Sequence, residues 1–258
     1  MTLPYGIPQD AAQWLALVLA ALVLLASPLL AKPQRRGWFV GLSALAAAAL
    51  SAAYVSVYLR GGPRIIDATT YWLEGRALSE GLFAWPLTSP ETSTLGRFLV
   101  RAEGATGPTV AGIFPPGYPA ALAVGFWLGA PLGVGPAIAA GLVVATDSLA
   151  RRVTRAFGED TSAVVAQIAV ALSVVCAALR YHTADTMSHG LSALCFAASL
   201  ALAFGALDRK AIRFALLSGL FVGWLVATRP VSGLALGLSL ALLFTLDQDR
   251  SRSTHARL

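Results

Sequence analysis

The sequence predicts an all-α integral membrane protein with about seven transmembrane helices. Of its 258 residues, 57% are hydrophobic and only 12% are charged, whereas soluble domains carry about 25% charged residues. The mean hydropathy is +0.69, and apolar runs near the roughly 20 residues that cross a bilayer recur along the chain. These observations place the chain in lipid, and we expect residues 1–258 to form a single transmembrane domain.

Seven apolar segments approach the length of a membrane-spanning helix. The N-terminus, MTLPYGIPQDAAQW, lacks the basic region of a signal peptide, so we expect the first apolar run to be retained as a helix. Trp and Tyr residues near several segment ends suit the headgroup region of a bilayer. The predicted spans are 11–30, 38–59, 133–150, 161–180, 186–207, 211–228 and 231–246.

The distribution of Lys and Arg predicts the orientation. Twelve of the nineteen basic residues fall in the loops 31–37, 151–160 and 208–213 and in the tail 247–258. The positive-inside rule makes that face cytoplasmic and the N-terminus external. The long loop 60–132 then lies outside, with short helices along the membrane surface. Because the basic residues form scattered short clusters without a recognition motif, the composition excludes nucleic acid as a partner.

The stretch RIIDATTYWLEGRALSEG opens this external loop and contains its most unusual acid, Asp67. We predict a helix over 67–80, with Asp67 as its N-cap and Gly81 just beyond its C-terminus. Tyr71 faces the apolar side of this helix, and Glu74 points elsewhere. A carboxylate at headgroup depth can also act as a general base toward a hydroxyl. The capping role and the catalytic role of Asp67 are compatible, and both stay open.

Two further outward turns, RYHTADTMSH and ATRP, carry charged groups that can converge with Asp67. Arg180 lies in the first of these turns and Arg229 in the second. Either these two arginines converge with Asp67, or they anchor helix ends by extending toward the headgroups.

The histidines of the first turn suggest a metal site. His182, Asp185 and His189 have the spacing i, i+3, i+7, so one continuous helix would place them on one face, with Asp67 as a fourth ligand. The alternative is a helix that begins near Thr183, with the histidines as interfacial polar groups. A divalent metal is therefore an open expectation, and no other cofactor is predicted.

Several short motifs follow one another in a recognisable order. The acid of the first outer loop is followed by PPGYP at 115–119, the basic segment LARRVTRAFG, the acid in TADT, and ATRP at 227–230. This order resembles the membrane-embedded glycosyltransferases of the GT-C fold over residues 38–246. It is most similar to their branch that uses polyprenyl-phosphate sugars, the protein O-mannosyltransferases and the aminoarabinose transferases of lipid A.

The resemblance implies inverting transfer of a sugar from a polyprenyl phosphate to an acceptor hydroxyl at the outer face of a bacterial inner membrane. The partners implied are the lipid-linked sugar and membrane lipid. Transfer in this branch needs no metal. The residues carried over fall into two groups. Asp67 and Asp185 are the catalytic acids, with Asp67 as general base, and Arg64, Tyr118, Arg229 and His182 are the substrate-binding residues.

The length of the chain supports a second reading. Proteins of the resembled family are about twice as long, whereas this chain ends at DQDRSRSTHARL. The alternative is a catalytically incomplete module that binds an isoprenoid lipid or a partner subunit supplying further helices. A small transporter is disfavoured, because the sequence shows no internal repeat and few ionisable residues within its predicted spans.

Overall fold

Helix dominates the computed structural model, which describes residues 36–86, 98–104 and 107–255 and five single positions between Trp14 and Leu25. The span predicted at 11–30 lies outside the described residues, apart from those positions. The helices of the described ranges are α1 Arg36–Val57, α2 Ile66–Ser79, α3 Gly117–Trp127, α4 Val134–Val153, α5 Glu159–Val175, α6 Ala177–Ala184, α7 Ser188–Arg209, α8 Ile212–Thr228 and α9 Pro230–His255, with 3-10 turns at Pro131–Gly133 and Arg155–Phe157.

Four described segments are long and apolar enough to cross a membrane, namely Arg36–Val57, Pro131–Val153, Ser188–Arg209 and Pro230–Asp247. This confirms the membrane-embedded, predominantly helical class. The segment predicted as one span at 161–180 is instead two helices, α5 and α6, bent by 56°. If this pair counts as one broken span, the described residues contain up to five spans. Helix α8 is shorter, at 17 residues, and the predicted total of seven remains an expectation.

The described residues divide into two compact units. The first lies within Met1–Gly62 and Gly135–Asp185. In it, α1 packs against α5 and α6. Buried side chains from α1, α4 and α5 form one apolar core, made of Phe39, Ala44, Ala47, Leu50, Ala139, Val143, Val170 and Val174.

A buried carboxylate ties α1 to α4 in this unit. Asp147 is only 4% exposed. It accepts hydrogen bonds from the Arg36 guanidinium and, at 3.2 Å, from Arg151 Nε. A charge can be buried at low cost only where an opposite charge and hydrogen bonds compensate for lost water. Asp147 therefore fixes where α1 meets α4.

The second unit comprises Pro63–Val134 and the described part of Thr186–Leu258. Helices α7, α8 and α9 pack side by side in chain order, and α2 lies against α3. Glycine permits the close approach of α2 and α3, because a Cβ at Gly75 would lie 2.6 Å from Leu122 Cβ. Trp224 Nε1 of α8 donates a hydrogen bond to the carbonyl of Gly117 at 3.1 Å, which attaches α3 to α8.

A small antiparallel sheet in the long loop departs from the predicted all-α class. Its strands are β1 Trp85–Pro86, β2 Leu99–Gly104 and β3 Gly107–Gly112, in the order β1-β3-β2. Trp85 pairs with Val110, and Leu99 pairs with Gly112. The strands contain Gly and Pro, and they lack the alternating apolar pattern by which strands are recognised in sequence.

Replacing Asp147 by Ala should destabilise the first unit. The substitution leaves the guanidinium groups of Arg36 and Arg151 without their shared acceptor. We expect a loss of about 2 kcal/mol, less than for a fully buried pair, because the Arg36 side chain is 43% exposed. Thermal unfolding in detergent measures the effect, with Asp160→Ala at an exposed acid as the control. Equal midpoints for both variants would contradict the tie.

Candidate functional site

Helix α2 carries the acid that the sequence singled out. The helix begins at Ile66, and Ile65 occupies its N-cap position without a side-chain hydrogen bond. Asp67 is therefore not the N-cap. It lies in the first turn, half-buried, where a negative charge is favoured by the helix dipole. The predicted C-terminus is confirmed, because Gly81 has φ +78° and Leu82 N donates to the carbonyl of Ala77 at 2.9 Å, as in a Schellman motif.

Tyr71, one turn after Asp67, is the central side chain of the site. It is 5% exposed. Its ring stacks on Phe114 with centroids 4.2 Å apart and meets the edge of Tyr118 at 5.4 Å. Its hydroxyl donates a hydrogen bond to Ser188 Oγ at 3.1 Å. The aromatic contacts fix the ring, so the position of the hydroxyl is set by packing.

Three separate parts of the chain meet around Ser188, within the second unit. Ser188, the first residue of α7, accepts from Tyr71 and also from Arg229 Nε at 3.4 Å. Thr186 Oγ1 donates to the carbonyl of Ala68 on α2 at 3.0 Å. Helix α2, the turn before α7 and the turn before α9 therefore converge. We refer to Tyr71, Ser188 and Arg229 as the Ser188 cluster.

The electrostatics of the cluster depend on burial and on its neighbours. Burial raises the pKa of Tyr71 above its ordinary value. The hydrogen bond to Ser188 and the charge of Arg229 oppose that rise, whereas the carboxylates of Glu74 and Asp67 add to it. Tyr71 therefore remains a neutral hydrogen-bond donor at physiological pH. The positive charge of Arg229, within the cluster, and the negative charge of Asp67, outside it, both act on this neutral hydroxyl.

The helical pattern suggested that Glu74 points away from the apolar side of α2, but the structure buries its side chain. It is only 8% exposed, and its Oε1 accepts a hydrogen bond from the backbone N–H of Phe114 at 3.2 Å. Its other oxygen, Oε2, is buried with no hydrogen-bond partner among the described residues. Burial raises the pKa of Glu74 to about 7, and the hydrogen bond from Phe114 opposes that rise.

Two other predicted substrate-binding residues also lie in the second unit. Arg64 is exposed in the irregular segment before α2. Tyr118 is only 1% exposed and lies in α3, which begins at Gly117. Tyr118 therefore packs against Tyr71 as part of the support of the cluster.

The remaining predicted residues are Asp185, His182 and His189. Asp185 is the last residue of the first unit and is 1% exposed. It shares a side-chain hydrogen bond with Tyr181. His182, on α6, meets the Tyr181 ring edge-on with centroids 5.2 Å apart. His189 is the second residue of α7, in the second unit.

The helix that would have aligned a metal site is interrupted. Helix α6 ends at Ala184 and α7 begins at Ser188, with extended backbone at Asp185 and Met187. The expected helix start near Thr183 is also wrong, because Thr183 lies in the last turn of α6. In the part of the chain that the structure describes, no group of three or more His, Cys, Asp or Glu residues could hold a metal ion.

Sequence reasoning missed Ser188 and Glu74. Ser188 lies in the quoted turn RYHTADTMSH, but a hydroxyl among charged residues carries no distinguishing pattern. Glu74 follows Tyr71 by three residues, so the two lie on neighbouring positions of one helical face. That spacing is the signal that could have placed the acid beside the buried ring.

No protein-family model, curated protein or solved structure matches this chain. The resemblance to GT-C glycosyltransferases therefore rests on its short motifs, and the function is argued from the geometry.

Glu74 should make the stability of the protein fall as pH rises. The folded state binds the proton more tightly than the unfolded chain, because burial raises the pKa from 4.5 to about 7. The stability from this protonation is fully present below pH 4.5 and is lost as pH rises toward 7. Glu74→Gln should remove this slope in thermal unfolding measured across that window. Glu80→Gln, at the exposed C-cap residue of α2, should retain it, and identical slopes in both variants would oppose the assignment.

Proposed function

We propose that the chain is a membrane glycosyltransferase module of the GT-C type. It would transfer a sugar from a polyprenyl phosphate to an acceptor hydroxyl, with inversion at the anomeric carbon. The observation that carries this proposal is the Ser188 cluster, in which Arg229 and two hydroxyl groups meet beside the helix that carries Asp67.

Arg229 and Ser188 supply the chemistry that a phosphate group needs. A guanidinium group has five N–H donors, and Arg229 directs its Nε to Ser188. Its other donors suit the oxygens of a leaving phosphate, which they stabilise through charge-assisted hydrogen bonds. Ser188 is the first residue of the 22-residue helix α7, and a helix N-terminus favours an anion.

Asp67 supplies the base on the same side of α2 as Tyr71, since residues four apart share a helical face. In the proposed step, the Asp67 carboxylate accepts the proton of the acceptor hydroxyl. The acceptor oxygen bonds to the anomeric carbon as the bond from that carbon to the phosphate oxygen breaks. The bonding electrons leave with the polyprenyl phosphate, whose charge Arg229 stabilises.

The position of the cluster in the second unit suits a lipid-linked donor. It lies where the apolar helices α7 and α9 begin, at the end of two candidate spans. A donor held there keeps its prenyl chain beside the apolar helices and its sugar in water. Arg64, which is exposed before α2 in the same unit, is a further candidate contact to the donor. It needs no metal and places this face outside a bacterial inner membrane.

Asp67→Asn should abolish transfer while leaving donor binding intact. The amide cannot accept the proton, so we expect a loss of about 10²–10⁴-fold in rate. The assay uses protein in lipid nanodiscs with polyprenyl-phosphate mannose or polyprenyl-phosphate aminoarabinose and measures product and donor binding separately. Asp160→Asn is the matched control. Full activity in Asp67→Asn would rule out the base.

Arg229→Gln in the same assay tests the contact with the donor phosphate. It should weaken donor binding about tenfold or more, because a charged hydrogen bond to the phosphate is lost. Arg213→Gln, at an exposed arginine, serves as its control. Donor binding by the unmodified protein without any transfer would favour the incomplete module. An absence of both would reject the proposal.

Thr69 on α2 is exposed and reports the orientation. In a background with Cys176→Ala and Cys195→Ala, Thr69→Cys should react with a membrane-impermeant maleimide in intact cells. The external placement of the loop 60–132 predicts this result. Reaction only after permeabilisation would reverse the proposed topology.

A further inference from the structure

We propose that Glu74 is a positioning residue for the Ser188 cluster. Its carboxyl group holds Phe114 against Tyr71 and thereby fixes the Tyr71 hydroxyl on Ser188. This inference deepens the proposed function and rests on it for its meaning in donor binding, although its structural part can be tested without any substrate.

The first support is an unbroken series of contacts. Glu74 Oε1 accepts the backbone N–H of Phe114 at 3.2 Å. The Phe114 ring lies on the Tyr71 ring with an interplanar angle of 14°. Tyr71 then donates to Ser188. Each contact constrains the next, so the carboxyl group of Glu74 influences the position of the Tyr71 hydroxyl without touching it.

The second support is the location of Phe114. It lies between the end of β3 at Gly112 and the start of α3 at Gly117, where neither a helix nor a strand orders the backbone. A backbone N–H in such a segment needs a partner when it is partly buried. Glu74 supplies that partner and so sets the position of Phe114 at its main chain.

The third support is the space reserved for the carboxyl group. A Cβ at Gly112 would overlap Oε1 and the adjoining carbons of Glu74. A Cβ at the neighbouring Gly75 would overlap Leu122, so α2 already lies directly against α3 and cannot move closer to it to make room. The carboxyl group of Glu74 therefore occupies the space that a side chain at residue 112 of β3 would fill.

The fourth support is that the acid is unfavourable for stability. A buried carboxyl group with one oxygen lacking a partner costs free energy that an apolar side chain of similar size would not. The Tyr71 hydroxyl is the titratable neighbour that senses the charge of Glu74, and it also senses the charge of Arg229. Glu74 itself lies beside Gly112 of β3 and accepts the backbone N–H of Phe114. Such a group is expected where geometry at a site matters more than stability.

Three variants separate the hydrogen bond from the mere presence of a polar group. Glu74→Leu removes the acceptor, whereas Glu74→Gln keeps an oxygen that can accept from Phe114. Gly112→Ala leaves residue 74 unchanged but displaces its carboxyl group. Polyprenyl phosphate without a sugar is the probe, and its dissociation constant is measured with protein in nanodiscs. Glu80→Gln, at the exposed C-cap residue of α2, is the control.

We expect Glu74→Leu and Gly112→Ala to weaken binding of polyprenyl phosphate about tenfold. Glu74→Gln should stay within about twofold of the unmodified protein, as should Glu80→Gln. Equal loss in Glu74→Gln and Glu74→Leu would overturn the role of the acceptor oxygen. Normal binding in Gly112→Ala would do the same, because that variant alters only the position of the carboxyl group.

A second arm needs no ligand and tests the series of contacts directly. Thermal midpoints are compared for Glu74→Leu, Tyr71→Phe and the double variant. If Glu74 acts on Tyr71 through Phe114, the double shift should be smaller than the sum of the single shifts. The pair Glu80→Gln and Tyr71→Phe should be additive. Additivity in both pairs would overturn the proposal, and absence of polyprenyl phosphate binding together with coupling would reject only the proposed function.

Discussion

The second unit is organised around one hydroxyl oxygen that accepts two hydrogen bonds. Ser188 Oγ accepts hydrogen bonds from the Tyr71 hydroxyl and from Arg229 Nε. Tyr71 lies 117 residues from Ser188 in the chain, and Arg229 lies 41 residues from it. Near a bilayer, polar groups that lose water need such partners. The loop that carries Asp67 is therefore held to the ends of the apolar helices by polar contacts that its own sequence cannot form alone.

The packing around this oxygen explains why the surrounding sequence is rich in small and aromatic residues. Gly75 allows α2 to approach α3, and Gly117 leaves no space for a side chain beside Thr228 at the end of α8. The ring of Tyr71 fills the remaining volume against Phe114 and Tyr118. Close backbone approach lowers mobility, and stacked rings fix direction. A hydroxyl held in this way needs little reorganisation when it meets a ligand.

Much of this arrangement could be predicted from local sequence, but the decisive parts could not. Long apolar runs identified the helices, and Gly81 identified the end of α2, because both signals are contained within a few adjacent residues. The break at Cys176 has no Pro or Gly to announce it. The burial of Glu74 depends on the absence of a side chain at Gly112, on a strand that the pattern did not reveal. Contacts between distant segments carry no local signature.

Glu74 shows how such a hidden contact changes the chemistry of the molecule. An acid on a short helix between apolar segments would ordinarily be solvated and ionised, but burial brings the pKa of Glu74 to about 7. Glu74 therefore gains or loses its proton near physiological pH. When Glu74 loses its proton, its hydrogen bond from the Phe114 N–H becomes stronger, so Phe114 is held more firmly against Tyr71. Burial of the new charge at the same time lowers the stability of the fold. Geometry at the cluster and stability of the fold thus respond to pH in opposite directions.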